Sequence, residues 1–454
     1  MKFILIGDPT AHSDIGLFCL RVENRKHNGF RRQFYYIDST TSRKVEPSRE
    51  LRNTRLVLNI GNNIYLISNL LKALRFTSSI DTRKHDDIYA AIIHDVNLEY
   101  AFDLLCDSIK KNVIHNDLLK ISNITIDEIK EVFNWIIPIK LHSFFLNFPR
   151  EGRGYLLLAF LLKKFKNIII HSLYAQQIAA SIADSLSIVC RFERISLAYD
   201  MPPMSFSESK IHDSRTAAIR IAFFSLAFNT TKNFQLLKDT LLEISKSRSV
   251  ILDIFGKTDS RMVRQLVFSL RSNGIDTRDH GFAEPEELFL HVGQADYSWV
   301  YRDPTHGESS GTVLRSLSLG TCPIVADHGW YSELPNELVL KVPLSTDPRE
   351  LCRLIINHNT GNYSWRSKRV DYLKKSHSPE NYAFQLSCFI SKNINVNCTE
   401  TSLDFLVDHE YKPPIDLNKY KELTCLVFSS QFHLEMLAPV VDSDFHPDTN
   451  SSGV

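Results

Sequence analysis

Eight short apolar runs punctuate this 454-residue chain: "KFILIG" at 2–7, "RLVLNIG" at 55–61, "YAAIIHD" at 89–95, "NIIIHS" at 167–172, "IRIAFFS" at 219–225, "SVILDIFG" at 249–256, "YSWVYR" at 297–302 and "CPIVAD" at 322–327. Polar turn residues bound them and longer amphipathic stretches separate them. A strand with one wet face alternates apolar and polar residues, whereas a strand covered on both faces has no reason to alternate. Runs this short and this uniformly apolar therefore predict parallel strands held between helices, an α/β class.

The runs form two sets. Between them, "YDMPPMSFSESKIHDSR" at 199–215 combines Pro202, Pro203, four serines and charges, and reads as a linker. A chain of 454 residues can bury two cores without disulfides or metal. Two doubly wound domains place ligands at the carboxyl ends of their strands, in the cleft they share. Beyond about residue 400 the pattern weakens, and "DSDFHPDTNSSGV" has the composition of a disordered tail.

Charge and cysteine usage exclude several classes. With 53 Lys and Arg against 52 Asp and Glu, the net charge of +1 supplies no overall field for nucleic acid, so an anion needs a local site. The eight cysteines are scattered, without a CxxC or paired histidines nearby, which argues against a zinc site and against a secreted disulfide scaffold. The opening "MKFILIGDPT" reaches Gly7 and Pro9 too soon for a signal peptide, so a cytoplasmic location is expected. The segment "GYLLLAFLLKKF" at 154–165 falls short of the roughly 20 apolar residues needed to span a bilayer and reads as a buried helix. Lys163, Lys164 and Lys166 leave open a peripheral contact with anionic lipid.

Candidate site residues lie where the predicted strands end. "IIHD" brings His94 and Asp95, "NIGNN" brings Asn62 and Asn63, and "NTTKN" brings Lys232 to the opening of a helix, where amides and a cation together hold phosphate. Capping and turn chemistry would equally account for Asp95, Asn62 and Asn63. "YRDPTHGESSG" brings Arg302 and Glu308, then a helix with an apolar face of Val313, Leu314, Leu317 and Leu319. The amides of Ser309, Ser310 and Gly311 would face an anion there, with Glu308 suited to sugar hydroxyls; Ser309 or Ser310 as an N-cap is the plainer alternative.

The string "RDPTHGESSG" followed by "LRSLSLGTCPIVADHGWYSELP" resembles the donor-site segment of family 4 retaining glycosyltransferases, particularly those of bacterial polysaccharide and lipopolysaccharide synthesis. "NIGNN", "IIHD", "IIIHSLYAQQIA", "FFSLAFNTTKNFQLLKDTLLEI" and "GFAEPEELFLHVGQADYSWVYR" fit the same pattern in order, over roughly residues 1–390. The resemblance implies the GT-B fold: two doubly wound, Rossmann-like parallel-sheet domains facing a central cleft. It implies an acceptor-side domain at 1–198, the linker at 199–215, a nucleotide-sugar donor domain at 216–375, a helix returning to the first domain at 376–400, and an extension at 401–454. Lys232 would bind the donor diphosphate and Glu308 the transferred sugar. Ser309, Ser310, Gly311 and Thr312 would line the donor site, and His94 would face the reacting sugar. No cofactor or metal is implied, and the partners are a nucleotide sugar and a glycan or lipid-linked acceptor.

Three positions depart from the family pattern. Ser316 stands where a second Glu is usual, Ala227 where an Arg precedes the phosphate lysine, and Asp14 where the first domain carries a glycine. Arg302 is expected to replace the missing cation, unless it pairs with Asp303 or Asp296. The departures keep a second expectation alongside glycosyl transfer: a non-catalytic protein of this fold that binds a nucleotide sugar or a partner enzyme.

Overall fold

The computed structural model describes residues 2–7, 34–38, 54–79, 88–120, 124–148, 152–165, 167–202, 218–225, 230–258, 260–305, 307–358 and 363–392. Asp14, Lys166, Ala227, most of the expected linker, and the expected extension at 401–454 lie outside these residues.

Twelve described strands form two six-stranded sheets, and every pairing is parallel. The first holds β1 (Lys2–Gly7), β2 (Phe34–Asp38), β3 (Thr54–Ile60), β4 (Ile88–Ile93), β5 (Asn167–Ile170) and β6 (Arg191–Arg194), in the order β2-β1-β3-β4-β5-β6. The second holds β7 (Ile219–Ser225), β8 (Val250–Gly256), β9 (Asp276–Gly281), β10 (Tyr297–Trp299), β11 (Cys322–Ala326) and β12 (Leu340–Val342), in the order β12-β11-β10-β7-β8-β9. In the second sheet the chain winds outward from β7 to β9, then returns to the other side of β7 at β10. Loops leaving β7 and β10 consequently diverge and open a crevice at the carboxyl ends.

All eight apolar runs contain strands. The four that the pattern did not mark are β2, β6, β9 and β12, and these are the four sheet edges. "YSWVYR" is strand only as far as Trp299, so Val300 to Arg302 lead out of the sheet towards the crevice.

Successive side chains of the inner strands serve opposite layers. Leu56, Leu58 and Ile60 pack with Leu66, Ile67 and Leu70 of the helix Leu66–Ser79. Val57, Ala90, Ile92 and Ile169 instead meet Tyr382, Leu386 and Phe389 of the helix Pro379–Lys392, which so lies on the first sheet. Ile221, Phe223, Leu252 and Ile254 pack under the helices Phe234–Ser245 and Arg261–Ser272, while Ala222, Phe224 and Phe255 face Val292 of the helix Pro285–Gln294. Each such aliphatic or aromatic side chain contributes about 1.5–3 kcal/mol by leaving water.

Leu156 to Leu162 of the helix Arg153–Leu162 are buried in the first core, and among the described residues no helix is long and apolar enough to cross a membrane. The chain passes between the domains near Leu197 and again near His377. The two passages are joined there: Tyr199 N donates to the His377 carbonyl at 2.7 Å, and His377 Nδ1 donates to the Leu197 carbonyl at 2.7 Å.

Candidate active site

The reversal between β7 and β10 brings three of the expected residues together. Lys232 ends the short turn Thr230–Lys232, directly before the helix Phe234–Ser245. Asn233 adopts a left-handed conformation at φ 48° and caps that helix, its Oδ1 accepting from Leu236 N at 3.1 Å. The Lys232 carbonyl accepts from Trp299 Nε1 at 2.8 Å, which ties the lysine to the end of β10. Its side chain is only 3% exposed. Burial, then the neighbouring Arg302 guanidinium, brings its pKa down to about 7, with Glu308 opposing the shift.

Arg302 Nη1 donates to Glu308 Oε1 at 2.6 Å. Neither carboxylate weighed as its alternative partner is the one it pairs with: the Asp296 carboxylate accepts from Arg220 N at 2.9 Å, and Asp303 is exposed. Burial alone would depress the guanidinium, but Glu308, Tyr331 and Asp95 hold it further above its ordinary range. Glu308 is itself buried, and two residues that the sequence reading missed complete its surroundings. Thr305 Oγ1 donates to Oε2 at 2.9 Å, and Tyr331 OH donates to Oε1 at 3.1 Å. Burial and the Glu308 charge raise the Tyr331 pKa, so its hydroxyl stays a donor. The Glu308 carboxylate is thus held by at least three protein donors.

The helix Gly311–Ser318 starts beside this group. Ser310, not Ser309, is its N-cap, with Oγ accepting from Val313 N at 3.4 Å. The Gly311 and Thr312 amides of its first turn have no acceptor within the helix. Ser309 Oγ and Arg302 Nε are buried with no hydrogen-bond partner. Ser316 lies on the opposite side of the helix start, fully buried, accepting from Ser298 Oγ at 2.7 Å and donating to the Thr312 carbonyl at 2.9 Å. Its hydroxyl is committed to packing the helix on β10.

At Gly307 the second domain packs against Val96 of the first. Its φ of 80° suits glycine, and a Cβ there would collide with Val96 Cγ2. A second bridge sits nearby: Glu333, at the end of the helix Trp330–Glu333, accepts from Leu173 N at 2.9 Å and Tyr174 N at 2.7 Å. These amides open the first-domain helix Leu173–Ser185.

The remaining expected residues make their hydrogen bonds within the first domain, although the Asp95 charge also acts on Arg302. Asn62 N donates to Asp95 Oδ2 at 2.7 Å, and Asn62 Oδ1 accepts from Ala101 N at 3.1 Å. Asn63 Oδ1 accepts from Tyr65 N at 2.9 Å, a local turn. These bonds match the turn and capping alternative. His94 is buried, with Nε2 3.0 Å from Asn59 Oδ1 and Nδ1 3.1 Å from His171 Nε2. Burial, then His171, lowers its pKa, so the ring is neutral. Both ring nitrogens are engaged inside the domain.

No protein-family profile matches the chain, and no curated protein sequence does. Solved structures do share its architecture. One is sucrose-phosphate synthase from Thermosynechococcus elongatus, with a TM-score of 0.52 at 11% identity, covering 87% of this chain and 99% of that one. Another is the apo structure of OtsA, with a TM-score of 0.50 at 9% identity, covering 87% and 100%. Two parallel, doubly wound sheets, a crevice at the reversal point of the second and a last described helix returned to the first make this chain a member of the GT-B architecture.

Proposed function

We propose that the chain is a retaining glycosyltransferase that moves a sugar from a nucleoside-diphosphate donor to a glycan or lipid-linked acceptor, as in bacterial polysaccharide or lipopolysaccharide synthesis. The observation that carries this reading is the group of buried Lys232 and Glu308 with half-buried Arg302, beside the helix start at Gly311. A leaving diphosphate develops charge as the glycosidic bond breaks, and preorganised donors in a dry site stabilise that charge. Lys232, Arg302 Nε and the Gly311 and Thr312 amides would supply them, with no divalent metal on the phosphates. Glu308 then fixes Arg302 and Tyr331 and presents its carboxylate rim to sugar hydroxyls. The cytoplasmic face of a membrane suits a lipid-linked acceptor, with exposed Lys163 and Lys164 meeting anionic headgroups.

One observation favours the non-catalytic alternative: the donors already held by Glu308 satisfy it without a substrate. Incubating the purified chain with a panel of nucleotide sugars, without Mg²⁺ or Mn²⁺, separates the two. Release of nucleoside diphosphate from one donor, lost in Lys232→Ala, is expected. Binding without release supports the non-catalytic reading, and failure to bind any nucleotide sugar removes glycosyl transfer and leaves only the partner-enzyme form of the alternative.

A further inference from the structure

In the second sheet β8, next to β7, carries an aspartate among apolar residues. Asp253 is 2% exposed and points to the same layer as Phe255, under the helix Pro285–Gln294. A carboxylate in such a place is costly unless paired. Two histidines meet it, His280 from the end of β9 and His291 from that helix. We propose that Asp253, His280 and His291 form a divalent-metal site, best suited to zinc, that fastens this helix to β8 and β9. The proposal does not depend on glycosyl transfer.

The alternative is a buried Asp–His pair, since His280 Nε2 lies 2.8 Å from Asp253 Oδ1. That pair leaves His291 unexplained. Its Nδ1 is buried without a hydrogen-bond partner and lies 4.0 Å from Asp253 Oδ1, too far for a hydrogen bond. A nitrogen lone pair aimed near a carboxylate, with no proton donor between, is the arrangement a cation completes. One ligand atom from each residue lies within 4.8 Å of the others, so small side-chain shifts bring all three to the roughly 2.0–2.2 Å at which zinc holds imidazole and carboxylate.

The surroundings fit. Phe255 stacks on the His280 ring at 4.3 Å and 9°, fixing its plane. With Nε2 as the ligand atom, His280 Nδ1 faces Glu287 Oε1 at 3.8 Å, the carboxylate that commonly orients a metal-bound histidine. Arg220 and Arg278 are the cations in electrostatic range, and Arg278 is paired to Asp276 at 2.6 Å. Two imidazoles and one carboxylate select zinc over magnesium or calcium, and three protein ligands leave a fourth position for water.

The test uses the full chain, stripped with chelator and titrated with ZnCl₂ or CoCl₂. One equivalent of Co²⁺ should give the intense visible absorption of a four-coordinate site, and saturating Zn²⁺ should raise Tm by about 5–10 °C. Asp253→Asn risks misfolding, so the decisive variants are His291→Gln, at the partly exposed ligand, and His280→Gln. Both should lose the spectrum and the Tm rise while remaining folded by circular dichroism. Weak binding that shows no saturation at one equivalent, or a spectrum unchanged in both variants, overturns the proposal.

Discussion

Two helices in this molecule begin alike and end differently occupied. Leu173–Ser185 and Gly311–Ser318 each open on a serine N-cap, Ser172 and Ser310, whose hydroxyl accepts from the third amide of the helix. In the first helix, the next two donors, Leu173 N and Tyr174 N, hold the carboxylate of Glu333. In the second, the equivalent Gly311 and Thr312 amides make no hydrogen bond to any described residue. Partial positive charge at a helix start attracts anions in either case. The protein has used one start to join its domains and surrounded the other with Lys232 and Arg302. The lesson is that the amide pair alone does not define a substrate site; a protein carboxylate can occupy it as well as a phosphate.

The largest expected effect comes from the cations around the open start. Lys232→Ala should weaken nucleoside-diphosphate binding about 10- to 100-fold, the worth of a charge-assisted hydrogen bond of about 1.5–3 kcal/mol, and should leave nucleoside binding nearly unchanged. Calorimetry with both ligands decides it; equal losses would remove the phosphate role.

Glu308→Gln comes next. It keeps an acceptor for Thr305 but takes the counter-charge from Arg302, so Tm should fall by the equivalent of about 2 kcal/mol, discounted because Arg302 is partly exposed. Turnover should fall, with diphosphate affinity held or improved as Arg302 is freed. A variant with full turnover would withdraw Glu308 from the chemistry.

Filling or emptying the other start has a smaller effect. Glu333→Ala leaves two amides of the first-domain helix without their carboxylate, at about 1–2 kcal/mol, whereas Glu333→Gln keeps an acceptor and should cost less than about 1 kcal/mol. Paired thermal denaturation checks the ratio; identical losses would mean that charge, not hydrogen bonding, holds the bridge.

The subtlest difference is in protons. Lys232, with a pKa near 7 when buried, is mostly neutral at pH 8.5. A bound diphosphate stabilises its charged form and raises the pKa towards the ordinary lysine value, so binding takes up about one proton at pH 8.5 and few at pH 6. Calorimetry in buffers of different ionisation enthalpy reads this uptake directly, and Lys232→Met should abolish it. Uptake that persists in the variant would place the proton elsewhere.

What could be read from the sequence follows from where each strand sits. Inner strands are covered on both faces and so leave unbroken apolar runs. The edges do not: β6 reads "RFER" and β9 "DTRDHG", with polar residues that suit an edge exposed to water, and β12 is three residues long. Lys232, Arg302 and Glu308 could be singled out because each lies in a segment that leaves a strand end: Lys232 after β7, Arg302 and Glu308 after β10. Thr305 and Tyr331 are single hydroxyls without a spacing that marks them. Glu333 could not be found locally, because the amides it bridges lie 159 and 160 residues away. The Asp253 group was hidden for the same reason, its ligands coming from β8, β9 and a helix, with no short-range motif among them.

The clasp at Leu197, Tyr199 and His377 has a mechanical consequence. A single covalent link would let the second domain rotate about several bonds, but here the chain crosses twice and its crossings are stapled by two 2.7 Å hydrogen bonds within a few residues. Such a doubled crossing behaves as a hinge with one soft axis rather than as a tether. The search over relative orientations is thereby narrowed when the chain folds. With the orientation limited in this way, the two Glu333 hydrogen bonds and the close packing of Gly307 on Val96 are enough to set the register of the two faces.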